Sequence, residues 1–458
     1  MSSVSPISGT EKRAIASLAS LYALRMLGLF MVLPVMAIAG AEFEGATPEL
    51  IGLAIGAYGL SQALLQIPAG ALSDYFGRKP IIVVGLIIFA LGSFIAANAD
   101  SIYGIILGRF LQGCGAIASA VMALVTDLTR EEHRMKAMAS IGASIGLSFS
   151  VALVLGPILV NLGGLQLIFV ITGVLAIGGI ILMLTFVPTP ARKKHRDGSA
   201  IVSEVFKQLG NGQLWPLNIG IFILHALMVA MFVAIPQQLV QAGLILDQHA
   251  WMYLPVLLIA FVLMVPFVII AEKKKQMKGI VITALSIMIV ALILMSQAIG
   301  VWAWAIALGV FFWAFNIMEA TLPSWLSKVA PAGAKGSAMG IYSTLQFLGA
   351  FAGGLIGGWL NNHFGIEGLF LILAAAVFAW AILVVITPKP AHLNSVRIDI
   401  QNQGSVVDQS ALYLDALINL RGVADAILIA EEQAIYLKVD ASVFDYNHAM
   451  ATVNSVGE

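Results

Sequence analysis

Four ionisable side chains lie inside long apolar runs of this 458-residue chain, and any chemistry has to centre on them. Arg25, Arg109 and His225 each fall near the middle of a run of roughly 20 apolar residues, and Glu319 lies nearer one end of its own. An ionisable group at mid-bilayer costs about 2.5 to 3.5 kcal/mol on insertion scales, so each one demands a partner, a water-filled cavity or a function. Arginine keeps its proton near neutral pH. A carboxylate or histidine whose access to water changes can gain and lose one. Glu319 and His225 are therefore the candidate proton carriers, and Arg25, Arg109 and Gln112, one turn beyond Arg109, are candidate cavity groups that tune them. A structural ion pair for Glu319 and a hydrogen-bonded ring for His225 are the plainer alternatives. Two mid-depth arginines without a mid-depth acid in the first half also suit an anionic substrate. Tyr58, Gln62, Gln66, Asn218, Asn316, Tyr342 and Gln346 stand where they would line a cavity or bond between helices.

The remaining chemistry is excluded by what is missing. No G-x-x-x-x-G-K-[ST] loop is present, so ATP hydrolysis has no phosphate cradle, and no catalytic constellation marks an enzyme. Cys114 is the single cysteine, which rules out an intrachain disulfide and a cysteine-based metal site. Neither cofactor nor metal is expected. Lys plus Arg and Asp plus Glu both number 24, so no basic excess exists to bind nucleic acid.

These groups must be positioned by membrane helices, because 60% of residues are hydrophobic, 10% are charged and the mean hydropathy is +0.96. Apolar runs of spanning length predict twelve helices, six in residues 14–187 and six in 214–387. The first is a retained span and not a cleaved leader. Among them, the first run covers 14–40 and the fourth 101–127. Every Lys and Arg outside the spans and the tail falls on one side of this arrangement, which predicts cytoplasmic termini. The linker 188–213 carries Arg192-Lys193-Lys194-His195-Arg196 and separates the halves. Weak self-similarity at an offset of about 198 residues suggests two related halves with a site between them. Asp74 with Arg78-Lys79 then corresponds to Glu272 with Lys273-Lys274-Lys275, and Gly156-Pro157 to Gly353-Gly354. From 394 to 458 the polarity becomes ordinary and the pattern reads βαββα, a small cytoplasmic ferredoxin-like α+β domain with a turn at Glu431-Glu432-Gln433. The fold class is thus an all-α membrane protein with an appended α+β domain.

The segment Gly70-Ala71-Leu72-Ser73-Asp74-Tyr75-Phe76-Gly77-Arg78-Lys79 resembles the loop motif between spans two and three of the major facilitator superfamily. The resemblance implies a conformational switch in which Gly70 permits close helix approach, Asp74 sits at a neighbouring helix N-terminus, Gly77 turns the chain, and Arg78, followed by Lys79, reaches a carboxylate on the next helix pair such as Asp127. Three further stretches resemble the twelve-span drug/proton antiporter branch. These are Gly28 with Pro34 in the first span, Arg109 with Gln112 in the fourth, and Gly146, Gly156 and Pro157 in the fifth. Ala37 replaces a second proline of that branch, and 158–161 lacks its closing glycine pair. The implied function is proton-coupled efflux of a small molecule by alternating access in a bacterial inner membrane, with protons and the bilayer as partners and a monomer as the working unit. Anion uptake or uniport is one alternative. A membrane sensor whose tail binds a cytoplasmic ligand or protein is another. The tail's strand order resembles heavy-metal-associated domains, but its first loop reads Asn402-Gln403-Gly404-Ser405 and offers no thiolate.

Overall fold

The computed structural model describes residues 7–189, 207–331, 335–389, 393–400, 410–429, 434–440 and 443–457. The basic cluster at 192–196, the tail loop at 402–405 and the turn at 431–433 lie outside them.

The first half runs α1 (Gly9–Phe30), α2 (Met36–Ala39), α3 (Pro48–Phe76), α4 (Arg78–Ala97), α5 (Ile102–Cys114), α6 (Ala118–Leu128) and α7 (Glu131–Thr185). A capping box starts α1. The Glu11 amide donates to Ser8 Oγ at 3.2 Å, and the Ser8 amide donates to the Glu11 carboxylate at 2.9 Å. That carboxylate also accepts from Arg130 Nη2 at 2.8 Å, fastening the start of α1 to the start of α7. Thr47 caps α3 and Pro48 supplies its first turn, while Gly77, at φ +96°, ends it in a backbone region that disfavours side chains. The predicted first span is not one helix: it breaks into a turn at 31–35 around Pro34, whose ring removes a backbone donor. The fourth breaks likewise between Cys114 and Ala118.

The second half runs α8 (Trp215–Gln241), α9 (His249–Lys273), α10 (Met277–Ser296), α11 (Val301–Val329) and α12 (Lys335–Ile386). Among the described residues, 10 helical stretches are long and apolar enough to cross a membrane. Two of them, 50 and 51 residues long, are interrupted by non-helical backbone, at Gly163–Gly164 in α7 and at Gly365 in α12.

Each half closes its last helix with a lysine. Lys79 Nζ donates to Val187 O at 2.6 Å beyond the end of α7, and Lys278 Nζ donates to Val385 O at 2.7 Å and Thr387 O at 2.6 Å at the end of α12. These residues recur at nearly the offset expected for the two halves. Arg13 adds bonds to Thr185 O and Phe186 O in the first half. A cation at the carbonyl end of a helix meets its unpaired acceptors and its negative dipole end.

The halves meet most closely along α3 and α12, at the end away from the Asp74 to Lys79 loop. Glycines make the seam: a Cβ at Gly59 would stand 2.5 Å from Phe347 O, one at Gly56 2.8 Å from Phe351 O, and one at Gly358 2.6 Å from Pro48 O. Gly52 and Gly354 leave even less room against each other's backbone. At the same end Asn362 Nδ2 donates to Glu49 Oε1 at 2.7 Å and Gln237 Nε2 to Ala37 O at 2.9 Å. Deeper in, Phe149 of α7 packs against Phe232 and Phe312, with ring centroids 6.4 and 5.9 Å away.

The tail contains β1 (Asn394–Asp399), α13 (Ser410–Ile418), β2 (Val423–Ile429), β3 (Ala434–Val439) and α14 (Tyr446–Gly457), in the predicted order. The sheet is antiparallel in the order β1-β3-β2, with Ile398 opposite Ile435 and Val396 opposite Leu437. Ile398, Ile435, Leu437 and Val439 pack with Tyr413 and Leu417 of α13 and Ala449 and Val453 of α14.

Candidate functional site

In the first half the two arginines are sealed inside a network of neutral groups. Arg25 is 2% exposed and Arg109 1%. Arg25 Nη2 donates to Gln62 Oε1 at 2.7 Å, Tyr58 OH at 2.8 Å and Gly115 O at 3.1 Å, the last made available by the helix break between α5 and α6. Gln62 passes its own amide proton to Gln66 Oε1 at 2.6 Å. Arg109 donates to Gln112 Oε1 at 2.9 Å and to Ala54 O and Ile55 O at 3.3 Å, and Gln112 donates onward to Ser93 Oγ at 2.8 Å. Both guanidinium groups lie near the Tyr58 ring, 5.9 and 5.4 Å from its centroid, in the range of cation–π attraction. The arginines predicted to line a cavity are thus structural anchors as well as charges. Their burial is compensated by carbonyls, amides and rings instead of by an acid.

The second half holds the titratable pair. Glu319 of α11 and His225 of α8 are far apart in sequence, yet His225 Nε2 lies 3.4 Å from Glu319 Oε1. The Gln346 side-chain amide of α12 lies 2.8 Å from the same ring nitrogen. His225 Nε2 can therefore serve one of two neighbours: protonated, it donates toward the carboxylate; unprotonated, it accepts from the amide. The Tyr342 hydroxyl, one turn before Gln346, has no hydrogen-bond partner, so the cluster is not saturated. Around it the packing is aromatic and aliphatic, with the Phe315 ring centroid 6.0 Å from that of His225. The Glu319 side chain is 34% exposed although its helix neighbours Met318 and Leu322 are buried. The Oε1 atom that faces His225 is itself buried and makes no hydrogen bond.

The loop motif forms a compact ion cluster. Arg78 pairs with Asp74, bonds Asp127 Oδ2 from Nε at 3.3 Å and donates to Ser73 Oγ at 2.7 Å. Gly70 brings α3 to α6, since a Cβ there would stand 3.0 Å from Ser119 Oγ. Asp74 has Arg78 as its ion-pair partner, and Lys79 turns instead to Val187 O beyond the end of α7. The second-half counterpart is rewired too. Glu272 pairs with Lys328 of α11 at 2.6 Å and accepts from Ser324.

The helix-motif residues explain close packing. A Cβ at Gly28 would stand 2.6 Å from Thr172 Cγ2, and one at Gly156 would stand 2.5 Å from Met31 O and 2.9 Å from Pro34 Cγ. Pro34 and Gly156 therefore fit α7 to the turn after α1, with Pro157 inside α7 beside them. Gly146 differs: nothing lies within 4 Å of its added Cβ, so close packing does not account for it. Sequence reasoning missed Ser73, Ser93 and Lys278. The offset between halves, applied to Lys79, could have found the last of these.

The model of the Major Facilitator Superfamily matches residues 18–354 and 279–408. The chain is 45% identical over 435 residues to the inner membrane transport protein YajR of Escherichia coli, covering 94% of this chain and 95% of that one. It is 25% identical over 351 residues to the multidrug resistance protein MdtH of Aeromonas salmonicida, covering 75% and 86%. Its fold is similar to the crystal structure of a bacterial homolog of the human lysosomal transporter Spinster in an inward-facing, occupied conformation, with TM-score 0.68 and 15% identity, covering 83% of this chain and 98% of that chain. A multi-pass helical chain with this match and this loop motif belongs to the major facilitator superfamily of membrane transporters.

Proposed function

We propose that the chain is a proton-coupled exporter of a small molecule in a bacterial inner membrane, with Glu319 and His225 as the proton-carrying pair. The observation that carries the proposal is the 3.4 Å approach of Glu319 to His225, with the Glu319 side chain 34% exposed and the surrounding half otherwise apolar. The breaks at Gly163–Gly164 and Gly365 support twelve spans, because a straight 55-residue helix would run about 80 Å through a hydrocarbon layer of about 30 Å. The positive loops support a cytoplasmic position for both termini and the tail. The tail's antiparallel sheet with two helices on one core supports a ferredoxin-like unit lacking a described fourth strand.

The glycine seam, closed at the end away from the Asp74 to Lys79 loop, supports a reading in which access alternates between that end and the cytoplasmic one. Protonation of Glu319 removes its attraction for a charged His225 ring. Loss of the proton restores the pair. Alternating access follows if substrate and proton compete for this cluster while Asp74, Arg78 and Asp127 set the stability of the cytoplasmic closure. Multidrug resistance proteins among the relatives favour export over uptake.

The test uses purified protein in liposomes with an internal pH dye and cationic, neutral and anionic solutes outside. Solute-dependent proton movement that disappears in Glu319→Gln or His225→Gln is the expected result. Solute flux without proton movement in active wild-type protein would overturn the coupling. One observation favours a second reading, an anion pathway: Arg25 Nε and Nη1 have no hydrogen-bond partner. Selective passage of anions, lost in Arg25→Gln, would support it.

A further inference from the structure

The tail touches the bundle through a lysine of its central strand. On β3, Ile435, Leu437 and Val439 point into the tail's core. Strand alternation turns Lys438 to the opposite face of the sheet, the one that neither tail helix covers. A lysine on an uncovered sheet face should be solvated, yet Lys438 is 3% exposed. Its Nζ donates to Ser327 O at 2.9 Å and Lys328 O at 3.4 Å. Those are carbonyls of the last turn of α11, where a helix lacks intrahelical partners for its acceptors and carries its negative dipole end.

We infer that the tail is an intramolecular brace for α11, docked through Lys438 on the cytoplasmic end of the helix that carries Glu319. The end of α11 is then held from two sides. Lys328 and Ser324 tie it to Glu272 of α9, and Lys438 ties it to the centre of the tail's sheet. β3 is a firm anchor because it is paired on both edges, with β1 and with β2. Glu319 lies eight residues before Ser327, about 12 Å up the same helix, so fraying or tilting of this end is transmitted to the carboxylate. The inference concerns docking alone and stands whether or not Glu319 carries a proton.

Hydrogen–deuterium exchange on the full-length protein in nanodiscs tests it, comparing wild type, Lys438→Gln and Lys438→Arg. Removing a charged hydrogen bond at the helix end should speed exchange of the amides at 325–330 about tenfold or more in Lys438→Gln. Lys438→Arg, which keeps a cation there, should stay within about twofold of wild type. If Lys438→Gln also loses protection in β3, the tail has come apart and its docking with it, so the last turn of α11 must still exchange faster. Unchanged exchange at 325–330 in Lys438→Gln, with β3 protected or not, overturns the brace. Equal acceleration in Lys438→Arg overturns the role assigned to the positive charge.

Discussion

Arg25 and Arg109 in the first half are almost fully buried and bonded to amide, hydroxyl and backbone oxygens, whereas Glu319 and His225 in the second half stand 3.4 Å apart as an acid beside an imidazole. The difference lies in what each set can do when water reaches it. A guanidinium cannot titrate in this range, and its neutral partners do not change charge either. An acid and an imidazole in contact change charge, and change partners as they do so. One half thus supplies a fixed frame and the other a variable element, within helices that repeat the same layout.

The largest expected effect tests the frame. Arg109→Ala leaves Gln112 Oε1 without its charged donor and empties a buried volume, so thermal unfolding in detergent should show a loss of about 3 kcal/mol or more. Arg109→Lys should not restore it, because one ammonium cannot reach Gln112, Ala54 and Ile55 in the same fork. Next comes the switch. Glu319→Gln should leave unfolding within about 0.5 kcal/mol of wild type, yet lower flux driven by a pH gradient about 100-fold, or about 2.7 kcal/mol, and flatten its pH dependence. Were Glu319→Gln to unfold the protein as readily as Arg109→Ala, the contrast between frame and switch would collapse.

Smaller effects sharpen the same contrast at the charged ends of the halves. Asp127→Asn removes a carboxylate from a largely buried cluster around Arg78 and should cost about 1.5 kcal/mol of stability. Lys328→Gln breaks a pair whose Glu272 side chain is well exposed, and about 0.5 kcal/mol is expected, shrinking further in high salt. Both follow from denaturation measured at two ionic strengths.

The burial cost of charge made Arg25, Arg109, His225 and Glu319 legible in the sequence, since an ionisable group in an apolar run stands out without any structure. Their partners were not legible. Ala54 O, Ile55 O and Gly115 O are backbone atoms that no residue type announces, and the last becomes available only because the fourth span breaks at a point that reads as continuous helix. The meeting of Glu319 with His225 depends on how α8 and α11 are rotated about their axes, which hydropathy alone does not fix in a helix that is apolar on most sides. Lys79 was legible as a charge but its partner was not, because a four-carbon stem reaches several groups and the chain end of α7 lies among them.

The seam between α3 and α12 bears on how faithfully the transporter can repeat its cycle. Where main chain meets main chain at Gly52, Gly56, Gly59, Gly354 and Gly358, few side-chain torsions must be reset when the helices part and rejoin. A seal of bulky side chains would have to search for its interlocked arrangement at each closure, and a wrong rotamer would leave a leak. The glycine seal leaves fewer ways to close badly. The same property makes it brittle in evolution, since almost any replacement adds atoms where no neighbouring side chain can swing aside.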